Sequence, residues 1–241
     1  MPCQCVIIVT GLSFIASTRT ITHVLMNILA VAVAFVSAYL LGSIPTSVWY
    51  GRAFFRVDVR DFGSGNAGAT NTFRVLGKRA GTIVLLCDML KGYSAALLAT
   101  LLLQSGYISE TNVLMFKLIF GLIAVVGHLY PVFAQFRGGK GVATLLGMVL
   151  ATHPEVAVVC IGIFLLVVIA SQYVSLGSLL AALSFPILLL LRVFGQKESP
   201  LLIVFGFVVF LLVVLTHKKN ISRIISGQES RTVLIRLRKK K

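Results

Sequence analysis

Residues 142 to 170 read VATLLGMVLATHPEVAVVCIGIFLLVVIA, two apolar runs, Val142 to Thr152 and Val156 to Ala170, parted by His153, Pro154 and Glu155. Whether that parting is a turn or a kink decides the topology. An eleven-residue helix, rising about 1.5 Å per residue, covers about half of a hydrocarbon layer about 30 Å thick. The first run must therefore recruit its glycine-rich flank or be re-entrant. Five further runs surround the pair: Val24 to Ser47, Gly81 to Leu103, Val113 to Tyr130, Val174 to Leu191 and Leu201 to Thr216. Of 241 residues 58% are hydrophobic and 12% charged, with a mean hydropathy of +0.98. That is about half the charge usual in a soluble domain. The fold class is all-α integral membrane, with about seven transmembrane helices and short glycine-rich cytoplasmic loops, or five crossings plus a re-entrant pair.

Charge settles the parity. The net charge is +15, from 22 Lys and Arg against 7 Asp and Glu. A turn at His153 puts Arg52, Arg56, Arg60, Arg74, Lys78 and Arg79 on one side with Arg137, Lys140 and the nine cations from Lys218 to Lys241. The other side keeps Arg19, Arg192 and Lys197, while Lys91 and Lys117 lie within runs. By the positive-inside rule the C-terminal tail is then cytoplasmic. Fusing residues 142 to 170 into one crossing would send the tail's nine cations outward, so the turn is the reading retained.

Residues 3 to 15 are apolar but lack the charged start and small-residue cleavage site of a secretory signal, and Met26 opens the first strong run. Residues 1–25 are read as an N-terminal extension or a misplaced start, 26–229 as one membrane domain, and 230–241 as a basic cytoplasmic tail resting on anionic lipid heads. Cys3, Cys5, Cys87 and Cys160 match no zinc spacing, so no metal and no disulfide framework is expected. The sequence pI of about 10.2 comes without a nucleic-acid reader motif, which leaves lipid heads and phosphorylated substrates as partners and no nucleic acid.

Three polar stretches carry the chemistry. The first connection reads DVRDFGSGNAGATNTFR from Asp58 to Arg74. Small residues let amides approach an anion, and Ser64, Asn66, Thr70, Asn71 and Arg74 add donors, so it reads as a phosphate and oxyanion cradle. Gly63, Gly65 and Gly68 also spell GxGxxG, but no strand precedes them and Asp88 falls inside an apolar run, so no dinucleotide is expected. The second stretch, GHLYPVFAQFRGGKGVAT from Gly127 to Thr144, sets Lys140 among Gly138, Gly139 and Gly141 at a helix mouth, a further anion site that includes Thr144. Gly141 stands where a Walker loop needs Ser or Thr, so ATP hydrolysis is unsupported. The third, HKKNISRIISGQE from His217 to Glu229, places His217 and Asn220 three apart on one helical face. Asp88 and Lys91, at i and i+3 within an apolar run, read as a structural pair.

Together with GSIP at Gly42 to Pro45 and DMLKG at Asp88 to Gly92, these stretches resemble the bacterial acyl-phosphate-dependent glycerol-3-phosphate acyltransferase family from about Met26 to Glu229. The departures are the N-terminal extension, Arg137 where Lys is usual, and a longer basic tail. The resemblance implies a seven-span bacterial inner-membrane enzyme, without cofactor. It would move a fatty acyl group from acyl phosphate to the 1-hydroxyl of sn-glycerol 3-phosphate, giving lysophosphatidic acid and phosphate, the first acylation of phospholipid synthesis. It implies catalytic roles for Ser64, Arg74, Lys140, His217 and Asn220, a glycerol-phosphate loop at Gly138 to Gly141, and a structural Glu229. An acyl-phosphate-forming enzyme is an expected partner. Residue chemistry alone adds Arg137 to Arg74 and Lys140 as a clamp for two phosphates. It also leaves open a phosphate-ester or anion transporter, while a metal-dependent phosphatidyl transferase lacks the aspartates it would need.

Overall fold

The computed structural model describes residues 3–195 and 198–232, with side chains from residue 21 onward. Among these residues every regular element is helical. The bundle contains α1 (Cys3–Ser43), α2 (Thr46–Phe55), α3 (Ala69–Leu76), α4 (Lys78–Gln104), α5 (Glu110–Leu129), α6 (Val142–Thr152), α7 (Pro154–Ser171), α8 (Val174–Leu190), α9 (Pro200–Thr216) and α10 (Lys218–Ile225). α1 runs without a break through residue 25, and its stretch long and apolar enough to cross a membrane is Ile21–Ser43. The tail beyond Thr232 lies outside the described residues.

His153 is a turn. It leaves helical geometry at φ −150° and ψ 77°, and its N–H caps α6 by donating to Val149 at 2.7 Å. Pro154 opens α7 at a first-turn position, where its missing N–H breaks no helical bond. His153 Nε2 lies 2.9 Å from Glu198 Oε1, ahead of α9, so the α6–α7 turn sits level with the α8–α9 turn. At the other end, Gln172 accepts the Thr232 N–H at 2.8 Å and Ser175 donates to Glu229 at 2.8 Å. α6 and α7 thus form a hairpin whose open end faces the same way as Lys140. Among the described residues four helices are each long and apolar enough for a crossing, and α9 with α10, bent by 64°, forms a broken span or a re-entrant pair. α6 and α8 are apolar but shorter.

Two cores hold the bundle. Between α1, α4 and α5 the buried side chains are small: Ala34, Ala38, Ala95, Ala99 and Ala124, with Phe35 edge-on to Phe120 at 5.3 Å. Small faces let helices approach where lipid supplies no hydrophobic drive for their association. The α4–α6 contact is closer still. A Cβ on Gly92 would strike the Thr144 carbonyl, and one on Gly147 the Met89 carbonyl. That reciprocal glycine contact places α6 beside α4 despite its length. The second core, between α5, α6, α7, α8 and α9, uses larger residues such as Met148, Phe185 and Leu189. Leu29, Leu86, Leu166 and Leu211 stay exposed around the outside, an apolar belt suited to lipid.

Candidate active site

The polar stretches converge at one end of the bundle. In the first, Asp58 accepts from the Arg60 N–H and Nε at 3.0 Å each, from Arg60 Nη2 at 2.7 Å and from Arg52 Nη2 at 2.8 Å. The Arg60 guanidinium holds the Asp58 carboxyl well below the usual carboxylate range, outweighing burial. Arg60 Nη1 donates to the Ala134 carbonyl at 2.9 Å, fastening this loop to the second. Asn71 is buried and turned inward. Its Oδ1 accepts the Ser64 N–H at 2.8 Å, and its Nδ2 donates to the Val59 and Phe62 carbonyls at 2.7 and 3.1 Å. With both N–H donors engaged, Asn71 braces the loop and keeps none for a phosphate, although it too lines the cavity. Ser64, Asn66, Thr70 and Arg74 face a shared cavity.

The glycine loop differs from its expected reading. The Gly138 N–H donates to the Leu129 carbonyl at 3.2 Å and the Gly139 N–H to the His128 carbonyl at 3.0 Å. Both amides thus satisfy carbonyls left over at the end of α5, and neither is free for an anion. Their lack of a side chain serves packing, since a Cβ on Gly139 would meet the His128 ring. Thr144 is fully buried with its carbonyl against Gly92, and it does not face the cavity. Arg137 is exposed outside the cavity, its N–H given to Ala134, so of the three cations expected to act together only Arg74 and Lys140 line the cavity. Lys140 and Gly141 do line the cavity, beside the unpaired first amides of α6.

The third stretch supplies partners for Lys140. Lys140 Nζ donates to Asn220 Oδ1 at 2.5 Å, and Asn220 Nδ2 donates to Glu229 Oε1 at 2.6 Å. Glu229 also accepts from Ser175 Oγ and Arg223 Nε, each at 2.8 Å. Burial raises the Glu229 carboxyl, but the bonds from Arg223, Asn220 and Ser175 outweigh it and leave it below its ordinary value. The anion fixes the Asn220 amide so that its oxygen, not its nitrogen, meets Lys140. Burial lowers the Lys140 ammonium to about 8, against the pull of Glu229 and helped by Arg223 and Arg74. Burial likewise lowers the Arg74 guanidinium. His217 sits at the α9–α10 bend with Nδ1 2.8 Å from the Val213 carbonyl. In the neutral ring that proximity assigns the proton to Nδ1 and leaves Nε2 as an acceptor.

Asp88 pairs with Lys91, both buried, and His128 Nδ1 lies 3.7 Å from the same carboxylate. The cavity, about 430 Å³, is charged at its mouth and apolar below. Its deeper wall comes from Val149, Cys160, Phe164, Ala181, Phe185 and Val209. A polar head and an apolar tail can occupy it together.

Residues 32–227 match the family model described as glycerol-3-phosphate acyltransferase. The chain belongs to the glycerol-3-phosphate acyltransferase family. It is 42% identical over 218 residues to the glycerol-3-phosphate acyltransferase of Chlorobium phaeobacteroides (strain BS1), covering 80% of this chain and 93% of that one. That of Chlorobaculum tepidum is 42% identical over 217 residues, covering 81% and 94%. The crystal structure of PlsY (YgiH), an integral membrane glycerol 3-phosphate acyltransferase, in its glycerol 3-phosphate form, superposes with a TM-score of 0.72 at 37% identity over 84% of this chain and 95% of that one. Its lysophosphatidic acid form gives 0.70 at 36%, over 83% and 94%. The chain is therefore an integral membrane acyltransferase, which decides between the enzyme and transporter readings.

Sequence reasoning passed over three residues that build this acyltransferase site: Arg60, which ties the two loops; His128, which backs Gly139; and Ser175, which holds Glu229. A signal existed for the last. Ser175 and Ser178, three apart at the start of an apolar run, mark a polar stripe on one helical face.

Proposed function

We propose that this acyltransferase moves a fatty acyl group from acyl phosphate to the 1-hydroxyl of sn-glycerol 3-phosphate, giving lysophosphatidic acid and phosphate. The observation that carries the reading is the single cavity with Arg74 and Lys140 at a charged mouth and an apolar interior between α6, α7, α8 and α9. Glycerol 3-phosphate and the phosphate of the donor share the mouth, and the acyl chain extends into the interior. PlsY, which this chain resembles at 37% identity, has been solved in glycerol 3-phosphate and lysophosphatidic acid forms.

An acyl phosphate is a mixed anhydride with a good leaving group. Position and charge stabilisation therefore matter more than a strong base. The 1-hydroxyl oxygen attacks the acyl carbonyl carbon, the bond from that carbon to the phosphate oxygen breaks, and phosphate departs with the electron pair. The hydroxyl proton passes to His217 Nε2 or to a phosphate oxygen. Arg74 and Lys140 hold the phosphates, Asn220 keeps Lys140 in place, and Ser64 and Asn66 donate to the phosphate or the oxyanion. No acyl-enzyme forms. The side bearing most of the cations is the cytoplasmic face of a bacterial inner membrane, where an acyl-phosphate-forming enzyme supplies the donor. The basic tail from Arg231 rests on anionic lipid heads.

Purified protein given acyl phosphate and glycerol 3-phosphate releases phosphate in step with lysophosphatidic acid. Acyl-CoA and acyl carrier protein thioesters are run in parallel. Turnover with thioesters alone overturns the donor, and an acylated Ser64 trapped from acyl phosphate alone overturns the direct attack.

A further inference from the structure

The cavity has an apolar end. Val149, Cys160, Phe185 and Val209 line it and are buried within one apolar cluster. Phe185 lies ten residues along α8 from Ser175, the residue that meets Glu229 at the mouth, which is about 15 Å of helix. An extended chain advances about 1.2 Å per bond, judged from roughly 3.5 Å per residue of three bonds, so about twelve carbons span that depth. The Phe185 ring is itself backed by α9. A Cβ on Gly206 would lie 3.0 Å from the Pro186 Cβ, 3.1 Å from the Phe185 Cδ1 and 3.3 Å from its Cε1, tighter than an ordinary contact. Glycine at that position leaves room for Phe185 and Pro186 to pack against α9.

We infer that Phe185, seated against Gly206, is the floor that sets the preferred length of the acyl chain. The inference rests on the proposed reading of the cavity, and concerns where its apolar occupant must stop. A chain that reaches the floor gains from each buried methylene about fourfold in kcat/KM, the equivalent of about 0.8 kcal/mol. One carbon too many meets a packed ring, and the gain is lost.

The two residues allow the floor to be moved in opposite directions. Rates are measured for wild type, Phe185→Ala, Phe185→Leu and Gly206→Ala on saturated donors of successive even chain lengths, with product chains identified by mass spectrometry. Both phenylalanine variants should move the optimum to longer chains, Phe185→Ala the further, by up to about fourfold per newly accommodated methylene. Gly206→Ala keeps the ring but pushes it toward the cavity, so it should move the optimum to shorter chains. That shift remains readable if Phe185→Ala does not fold. An unchanged profile in Gly206→Ala and Phe185→Leu overturns the inference, because the chain would then leave sideways between α4 and α7, where Leu86 and Leu165 are exposed. Acyl phosphates and thioesters are both supplied. A wild type that uses thioesters alone refutes the proposed donor, and the length profiles on those thioesters still decide the floor.

Discussion

The loop from Asp58 to Asn71 and the loop from Arg137 to Gly141 are both rich in glycine, and both read as anion cradles, yet they are held open by opposite means. The first is braced by a side chain, Asn71, whose amide engages the Ser64 N–H and the Val59 and Phe62 carbonyls. The second is braced by its own backbone, with the Gly138 and Gly139 amides given to the last carbonyls of α5. Small residues therefore mean different things in the two loops. In the second they let the chain lie against His128, which leaves Lys140 and the start of α6 as the parts of that loop that line the cavity.

The sharpest way to break this contrast is to remove the charge the second loop presents. Lys140→Ala should lower kcat/KM for glycerol 3-phosphate about a thousandfold, with Lys140→Arg recovering part of it. A loss of under tenfold would return the anion to the backbone amides. The braces come next. Asn71→Ala strands a buried N–H and two carbonyls, and should lower the stability of the detergent-solubilised protein by about 3 kcal/mol in a denaturation assay. An unaltered transition with raised KM would instead make Asn71 a ligand. Gly139→Ala drives a methyl group into the His128 ring and displaces Lys140, for a loss near a hundredfold in kcat at little change in donor KM.

The smallest effect is on pH. Lys140, lowered to about 8 by burial, loses its positive charge in the free enzyme as pH rises through that value. kcat/KM for glycerol 3-phosphate should be level on the acid side of this step and fall about tenfold per pH unit above it. Lys140→Arg should abolish the fall, since a guanidinium keeps its charge there. A descending limb that persists in Lys140→Arg would assign the titration to another group.

Much of this was legible from pattern. Apolar runs announced the bundle, each within a few residues of a helix except the first, whose helix already begins at Cys3, and the side on which cations accumulate required a turn at His153, which the structure contains. Ser64, Arg74, Lys140, His217 and Asn220, read from three separate stretches, all line one cavity. What pattern could not reveal was who satisfies whom. Asn71 and Asn66 are equivalent letters in one polar loop and both line the cavity, yet only Asn71 has its amide taken up in bonds that brace the loop. Thr144 looked like a fourth donor beside Lys140, but it is fully buried and does not line the cavity.

By itself the sequence determined class, the order of apolar segments and charge asymmetry along the chain, because hydrophobic transfer and the positive-inside rule act on each segment largely one at a time. Tertiary structure alone decided which donors remain free, how Glu229 reaches Lys140 through Asn220, and that Phe185 comes to line the cavity. Those outcomes depend on hydrogen bonds and contacts between residues far apart in the chain. A buried polar group satisfies its bonds with whatever the packing brings near, and no local pattern records that choice.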